Sequence, residues 1–414
     1  MVGVPGDNLK GIKVLYVDGS IGFGGAAKSL SLTSKGLPDV TKFIVTSQEN
    51  KIIAKWYKDF TVFKFRRLMN YRNKAAVREW LEGIVPAGLV RKLLLKMLAV
   101  CDVMGSFLSL IKILWISIYH KVDIIHMNTG WEPVEPIVAA WLLRRPCIVH
   151  LRGFFQWKER SVHHTAKLVS RVIAVSNAVG RSIPTGLLNP GRITTIYDPT
   201  DIAVFETVAH RRDDIRYHWG IKENDIAVGI FGRVIPWKGQ LEFVRAALSA
   251  IEKNSNIKAL IVGDRSDGTP EYFQKVRHEI NTSRFRDHFI CTGYQEDVES
   301  LYIACDIIVH ASIEPEPFGM TIPEGMAAQK AVIAAKAGGP CEIVNSPVDG
   351  ILVNPGDIRA MTAALLDLSS DKNKRELMGK SGFNKVRERF TIESICSQLA
   401  HVYEEVLSAG KSKT

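Results

Sequence analysis

"DIIVHASIEPEPFGMTIPEGMAAQKAVIAA", residues 306–335, reads as strand, loop, helix and strand in thirty residues. "DIIVH" (306–310) and "AVIAA" (331–335) are short apolar, β-branched runs, and a helix-length segment separates them. Such a crossover predicts parallel strands, since a hairpin needs only a few residues and a parallel return a dozen or more. Within the loop, "EPFGMTIPE" (316–324) sets Glu316 and Glu324 at the two ends of a Pro-Phe-Gly-Met turn. Thr321 followed by Glu324 is the S/T-x-x-E spacing of a capping box, with Pro323 tolerated in a first helical turn. That accounts for Glu324 and leaves Glu316 without a local reason.

The same alternation extends in both directions. Upstream come "IKVLYVD" (12–18), "KFIVTS" (42–47), "FTVFKF" (60–65), "DIIHMN" (123–128), "CIVHL" (147–151), "RVIAVS" (171–176) and "ITTIY" (193–197). A second series holds "IAVGIF" (226–231), "KALIVG" (258–263), "HFICTG" (288–293), "DIIVH", "AVIAA" and "GILV" (350–353). Apolar strands alternating with helices predict two doubly wound α/β domains that place ligands at their strands' C-terminal ends. The 414 residues suit two cores. The seam falls in the polar stretch 197–214, giving domains 1–200 and 201–394, with the amphipathic helix 395–414 expected to pack back onto the first.

Six scattered cysteines without a C-x-x-C pair argue against a disulfide framework or a zinc site. The first twenty residues show no basic-then-apolar signal pattern, so a cytoplasmic location is expected. Charge is uneven: residues 1–200 hold 28 Lys and Arg against 13 Asp and Glu, the remainder 26 against 30. The first half is thus suited to an anionic partner, whether lipid, substrate or nucleic acid. Within it, residues 97–119 are apolar but interrupted by Asp102, Gly105 and Lys112, which predicts a buried helix rather than a span. Before them, the basic stretch that includes Arg66, Arg67, Arg72, Lys74, Arg91, Lys92 and Lys96 resembles a helix lying on an anionic membrane. Arg91, Lys92 and Lys96 fall within an arc of roughly 140° opposite a leucine face. A solvated basic face over a domain core explains the same residues.

Three loops carry candidate chemistry. "GSIGFGGAAKSL" (19–30) satisfies G-x-G-x-x-A at Gly22, Gly24 and Ala27, and opens a helix. A dinucleotide reading wants an acid at the second strand's end, and Glu49 lies two residues past Ser47, a poor match. A tight strand-to-helix turn needs only some of these glycines. "IFGRVIPWKGQLEF" (230–243) places Arg233 and Lys238 after a strand, where two cations suit a diphosphate. In "EPFGMTIPE" the backbone N–H groups of Phe318, Gly319, Met320 and Thr321 offer an anion site, with Glu324 for a ribose and Glu316 for the group beyond the phosphates. That combination makes a nucleotide-sugar site.

At this point "EPFGMTIPE" resembles the E-x7-E motif of retaining glycosyltransferases of the GT-B fold, specifically the GT4 family. "GFGGAAKSL", "HLRGF", "FGRVIPWKG", "IVGD", "TGYQEDV", "AGGPCEIV" and "DGILV" join it in order, over about residues 12 to 395. The resemblance implies two Rossmann-like domains facing across a cleft, donor mainly on the second and acceptor mainly on the first. It implies that Arg233 and Lys238 grip the donor diphosphate, that Glu316 contacts the donor sugar and that Glu324 holds the ribose. Phe318, Gly319, Met320 and Thr321 would make main-chain contacts to sugar and phosphate, and Gly24 and Gly25 would let diphosphate and acceptor approach. His150 corresponds to a histidine near the reacting sugar, and Tyr294 and Gln295 lie where the family meets the base. On the acceptor side stand Gly24, His126 and Asn128, although a lone histidine at a strand end is more often structural. Asp198 departs from the family's usual Asn.

The implied reaction is same-face transfer of a hexose or N-acetylhexosamine from a nucleotide-diphosphate sugar, UDP before GDP, without a cofactor. No D-x-D motif is present, so no metal is expected. The expected acceptor is a glycan or lipid-linked sugar at the inner face of the plasma membrane, in cell-surface polysaccharide synthesis. A soluble synthase of sucrose, trehalose or glycogen type is the alternative within the fold. A Rossmann oxidoreductase or a nucleic-acid binder would leave Glu316 unexplained.

Overall fold

The computed structural model describes residues 9–19, 24–64, 71–86, 88–155, 157, 160–265 and 270–411. Gly22, Arg66 and Arg67 lie outside the described residues, as do the side chains of Arg72 and Lys74 on the helix Tyr71–Ile84. The chain forms two compact units, one of residues 1–175, 180–196 and 396–414, the other of 176–179 and 197–395.

The first unit holds seven strands: β1 (Lys13–Asp18), β2 (Thr41–Thr46), β3 (Thr61–Lys64), β4 (Ile124–Met127), β5 (Cys147–Leu151), β6 (Arg171–Ala174) and β7 (Ile193–Thr195). They pair in the order β3-β2-β1-β4-β5-β6-β7, all parallel. The second unit holds β8 (Ile226–Phe231), β9 (Ile257–Val262), β10 (Phe289–Gly293), β11 (Ile307–His310), β12 (Ala331–Ala335) and β13 (Ile351–Val353). Their order is β10-β9-β8-β11-β12-β13, again all parallel. Both sheets are covered on two faces, which is why β4, β5, β11 and β12 are buried at every position, and β1 and β8 at all but their first, rather than alternating. Each sheet reverses its winding once, between β1 and β4 and between β8 and β11, and there the loops diverge to leave a crevice at the strands' C-terminal ends.

The polar residues after Tyr197 are built into the second unit. Arg212 donates to the carbonyl of Cys305 and, at 2.7 Å, to Asp306, while Arg216 bonds the Ala304 carbonyl and the same carboxylate. The last helix, Ile392–Lys411, passes at Cys396 into the first unit, where the Tyr403 hydroxyl lies 2.9 Å from that of Tyr16 on β1.

Two local expectations are corrected. The helix of 321–327 has Met320 as its N-cap residue, with helical φ and ψ and no side-chain cap, so Thr321 is already inside the first turn. The capping box is not made, and Glu324 instead accepts from the Tyr302 hydroxyl at 2.8 Å. The apolar segment 97–119 is part of one helix, Leu89–Tyr119, and it is not a buried helix. Only its C-terminal half packs, through Gly105, Ser109, Ile113, Ile116 and Ser117, and its opposite face is exposed.

Candidate active site

The second unit's cluster stands at the β8/β11 crevice. β11 ends in His310, the chain turns through Ser312, and Glu316 follows on the loop that opens the helix Thr321–Ala327. From the other side of the crevice, the short turn Pro236–Lys238 after β8 brings in Lys238. One oxygen of Glu316, Oε2, lies 2.6 Å from Lys238 Nζ, accepts from Ser312 Oγ at 2.9 Å and lies 3.2 Å from His310 Nε2. With a carboxylate as the acceptor, the His310 proton is assigned to Nε2. Oε1 receives no hydrogen bond from the described residues. Burial pushes the Glu316 carboxyl up, but the Lys238 ammonium and His310 outweigh it and hold the group well below the carboxylate range. Glu316 is therefore a buried, permanently ionised acceptor with one face committed to the protein. Lys238 also lies over the Trp237 ring, 4.1 Å from its centroid.

Two glycines fix this loop. Gly319 has φ +95°, and a Cβ there would meet Ile322, Glu316 and His310. Gly338, at φ +75° in the turn after β12, runs beside Glu316 so closely that a Cβ would stand 2.2 Å from the Glu316 carbonyl oxygen. The Gly339 N–H donates to that oxygen at 2.8 Å, so the "AGG" turn cradles the "EPFG" loop.

The remaining donor-side residues are less closely gathered. Arg233 is exposed, and among the described residues only its carbonyl is engaged, by Gln240. Glu324 is buried, and Phe318 packs among Tyr197 and Phe390. No backbone partner is recorded among the described residues for the N–H groups of Phe318, Gly319, Met320 and Thr321. Tyr294 is exposed after β10, and Gln295 folds back onto the Thr292 carbonyl at 2.7 Å. Beside them, a cavity of about 230 Å³ opens at the ends of β9 and β10, lined by Gly263, Arg277, Thr292 and Gly293 among others.

The first unit gathers a polar network at its own crevice. Asp18, the last residue of β1, accepts from Tyr57 at 2.6 Å and from Asn128 at 3.3 Å. Arg152, just past β5, donates to the Asn128 side chain at 2.9 Å and to Ser29 at 2.7 Å. His126 stacks on His150, ring centroids 5.6 Å apart, and its Nδ1 lies 2.7 Å from the Tyr403 hydroxyl. Neither ring nitrogen of His150 has a partner among the described residues. Gly24 precedes the helix Gly25–Lys35 in extended conformation, and a Cβ on it would meet nothing within 4 Å, so the space beside it is open.

Burial, reinforced by the nearby Arg152 charge, lowers the His126 pKa to about 3 and that of His150 well below the usual value. Between pH 6.5 and the folded values, the unfolded chain binds protons that the native chain does not. Native stability is therefore full above pH 6.5 and falls as pH drops, at up to about 1.4 kcal/mol per pH unit for each histidine. Thermal melts from pH 7.5 to 5 are expected to show that decline and His126→Phe to flatten it; an identical slope in the variant would contradict the buried neutral pair.

Sequence reading missed His310, Ser312, Asp18, Arg152 and Tyr403. His310 and Asp18 were visible as polar residues closing otherwise apolar strands, and Arg152 stood within "HLRGF". Tyr403 had no local signal, because its partners lie more than 270 residues away.

Residues 211–385 match the family model described as "Glycosyl transferases group 1". The chain is 26% identical over 319 residues to UDP-Gal:alpha-D-GlcNAc-diphosphoundecaprenol alpha-1,3-galactosyltransferase of Escherichia coli, covering 73% of this chain and 80% of that protein. It is 27% identical over 287 residues to the lipopolysaccharide core biosynthesis mannosyltransferase LpcC of Rhizobium leguminosarum bv. viciae, covering 69% and 79%. Among solved structures, Anabaena Alr3699/HepE in complex with UDP and glucose superposes with a TM-score of 0.75 at 24% identity, over 95% of this chain and 99% of that one.

Proposed function

We propose that this chain, which has the GT-B fold and matches the group 1 glycosyltransferases over residues 211–385, is a glycosyltransferase of that group and moves a hexose or N-acetylhexosamine from a UDP-sugar to a lipid-linked or surface glycan with retention at the anomeric carbon. The observation that carries the reading is the convergence of Lys238, His310 and Ser312 on one oxygen of Glu316, beside a loop held open by glycines. A buried carboxylate whose second oxygen stays unbonded is suited to accept from sugar hydroxyls, which distinguishes a glycosyl donor site from a plain phosphate site. Lys238 and Arg233 would neutralise the diphosphate, and the cavity beside Tyr294 offers room for the base. UDP is favoured by the names of the Escherichia coli relative and of the Anabaena complex.

In the proposed reaction the bond from the sugar's C1 to the β-phosphate oxygen breaks, and the acceptor hydroxyl oxygen bonds to C1 on the same face. The acceptor's proton passes to the departing phosphate. Glu316 holds the sugar in this scheme and does not attack C1, because its basicity is depressed by the Lys238 ammonium and His310. The work is placed at the cytosolic face of the plasma membrane, where a lipid-linked acceptor and the strongly basic first half would meet.

Thermal shift with UDP, GDP, ADP and dTDP tests the donor. UDP at a hundred times its dissociation constant is expected to add about 2.7 kcal/mol, and the others markedly less. A larger shift with GDP would overturn the choice of base, and no shift with any of the four would overturn the donor site.

A further inference from the structure

Of the 23 large hydrophobic side chains exposed among the described residues, thirteen lie on the single helix Leu89–Tyr119. At 100° per residue, all of them but Val103 fall within an arc of roughly 120°. Leu93, Phe107 and Trp115, each more than half exposed, mark that arc along its length. The residues that pack into the unit, from Gly105 and Ser109 to Ile116 and Ser117, occupy the opposite side. The result is an apolar face about 46 Å long on a helix held from behind over its C-terminal half.

Resting on the membrane-face reading above, we infer that this helix lies in the plane of an anionic bilayer leaflet with its exposed face sunk among the lipids. The helix is long and apolar enough to cross a membrane, but the packed rear face of its C-terminal half, with two buried serines, favours a course in the plane of the leaflet. Charge selects lipid over another occupant. Lys92 and Lys96 stand exposed along one edge of the face, where ammonium groups meet lipid phosphates while their stems lie on apolar surface. At the C-terminal end Trp115 and Tyr119 stack, centroids 5.3 Å apart, and such amphipathic rings favour the depth of the head groups. A second copy docking on the same face would bring together two first halves in which basic residues outnumber acidic ones 28 to 13.

The sequence reading offered a helix on an anionic membrane, with a leucine face opposite Arg91, Lys92 and Lys96, or a solvated basic face over a domain core, and took residues 97–119 as buried. The structure leaves the leucine side open along the whole helix, while Arg91 is half-buried, with its guanidinium toward the Glu82 carbonyl at 3.4 Å. The basic groups become the edge of the contact and the apolar face its centre.

Flotation of the full chain with vesicles of phosphatidylethanolamine containing about a quarter phosphatidylglycerol tests this. The protein is expected to float with them and to remain in the soluble fraction with pure phosphatidylcholine. Leu93→Glu with Phe107→Glu, both at exposed positions, should lower vesicle partitioning at least about tenfold. Lys92→Glu with Lys96→Glu should abolish the preference for anionic lipid. The UDP thermal shift, read on the same variants, is expected to stay unchanged, so loss of vesicle binding and loss of the donor site are separately visible. Failure of the wild-type chain to float overturns the proposal. So does a light-scattering dimer that Phe107→Glu dissociates without changing flotation.

Discussion

Glu316→Ala is expected to lower turnover by about 10²–10³-fold while UDP still binds. The carboxylate is the point on which Lys238, His310 and Ser312 converge, so its removal takes away the proposed sugar acceptor and also the only acidic partner recorded for Lys238 among the described residues. An ammonium that is mostly buried and loses its counter-ion destabilises the apo protein, here by about 1–3 kcal/mol given its partial exposure. A bound diphosphate would return the missing negative charge. The UDP-induced rise in melting temperature is therefore expected to be larger in the variant than in the wild-type chain. Steady-state rates alongside melts with and without UDP read both effects. Undiminished turnover would remove Glu316 from the reaction, and a smaller UDP shift would separate Lys238 from the diphosphate.

Gly338→Ala is expected to abolish activity without touching a proposed ligand-binding side chain. Its φ of +75° is one that side chains with a Cβ rarely adopt, and the added carbon would stand 2.2 Å from the Glu316 carbonyl oxygen. A flexible neighbour could yield, but this one is backbone, held by the Gly339 N–H at 2.8 Å. The turn or the "EPFG" loop must move, and the loop carries Glu316. Strain and displacement together are expected to cost about 3 kcal/mol or more, and about 6–12 °C in melting temperature for a unit of this size. Gly356→Ala is the matched control: its φ is +73°, with nothing within 4 Å of the added carbon, so it pays only the backbone strain. Equal losses in the two variants would show that the close approach to Glu316 is unimportant.

Both the strand inventory and the fold class were legible because parallel strands buried on two faces are largely apolar along their length. Thirteen such runs were visible, and thirteen strands formed, seven in one sheet and six in the other. The residues of the "EPFGMTIPE" loop were likewise readable, since glycine, proline and carboxylate at a strand's end are few and distinctive. The capping box failed because S/T-x-x-E fixes spacing but not where the helix begins. With Thr321 one residue inside, Glu324 was left to the Tyr302 hydroxyl. The helix Leu89–Tyr119 was misjudged for a related reason: apolar content reports what a segment can bury, not whether the fold supplies a surface to bury it against.

By itself, then, the sequence determined the order of strands and helices, the two doubly wound units and the residue types at the ends of β8 and β11, all consequences of local periodicity and turn chemistry. Only the tertiary structure decided that His310, Ser312 and Lys238 share one oxygen of Glu316, that Tyr403 reaches His126 from the last helix, and that the long helix turns its apolar face outward. Those outcomes depend on how distant segments pack, and contacts made across tens to hundreds of residues leave no periodic trace along the chain.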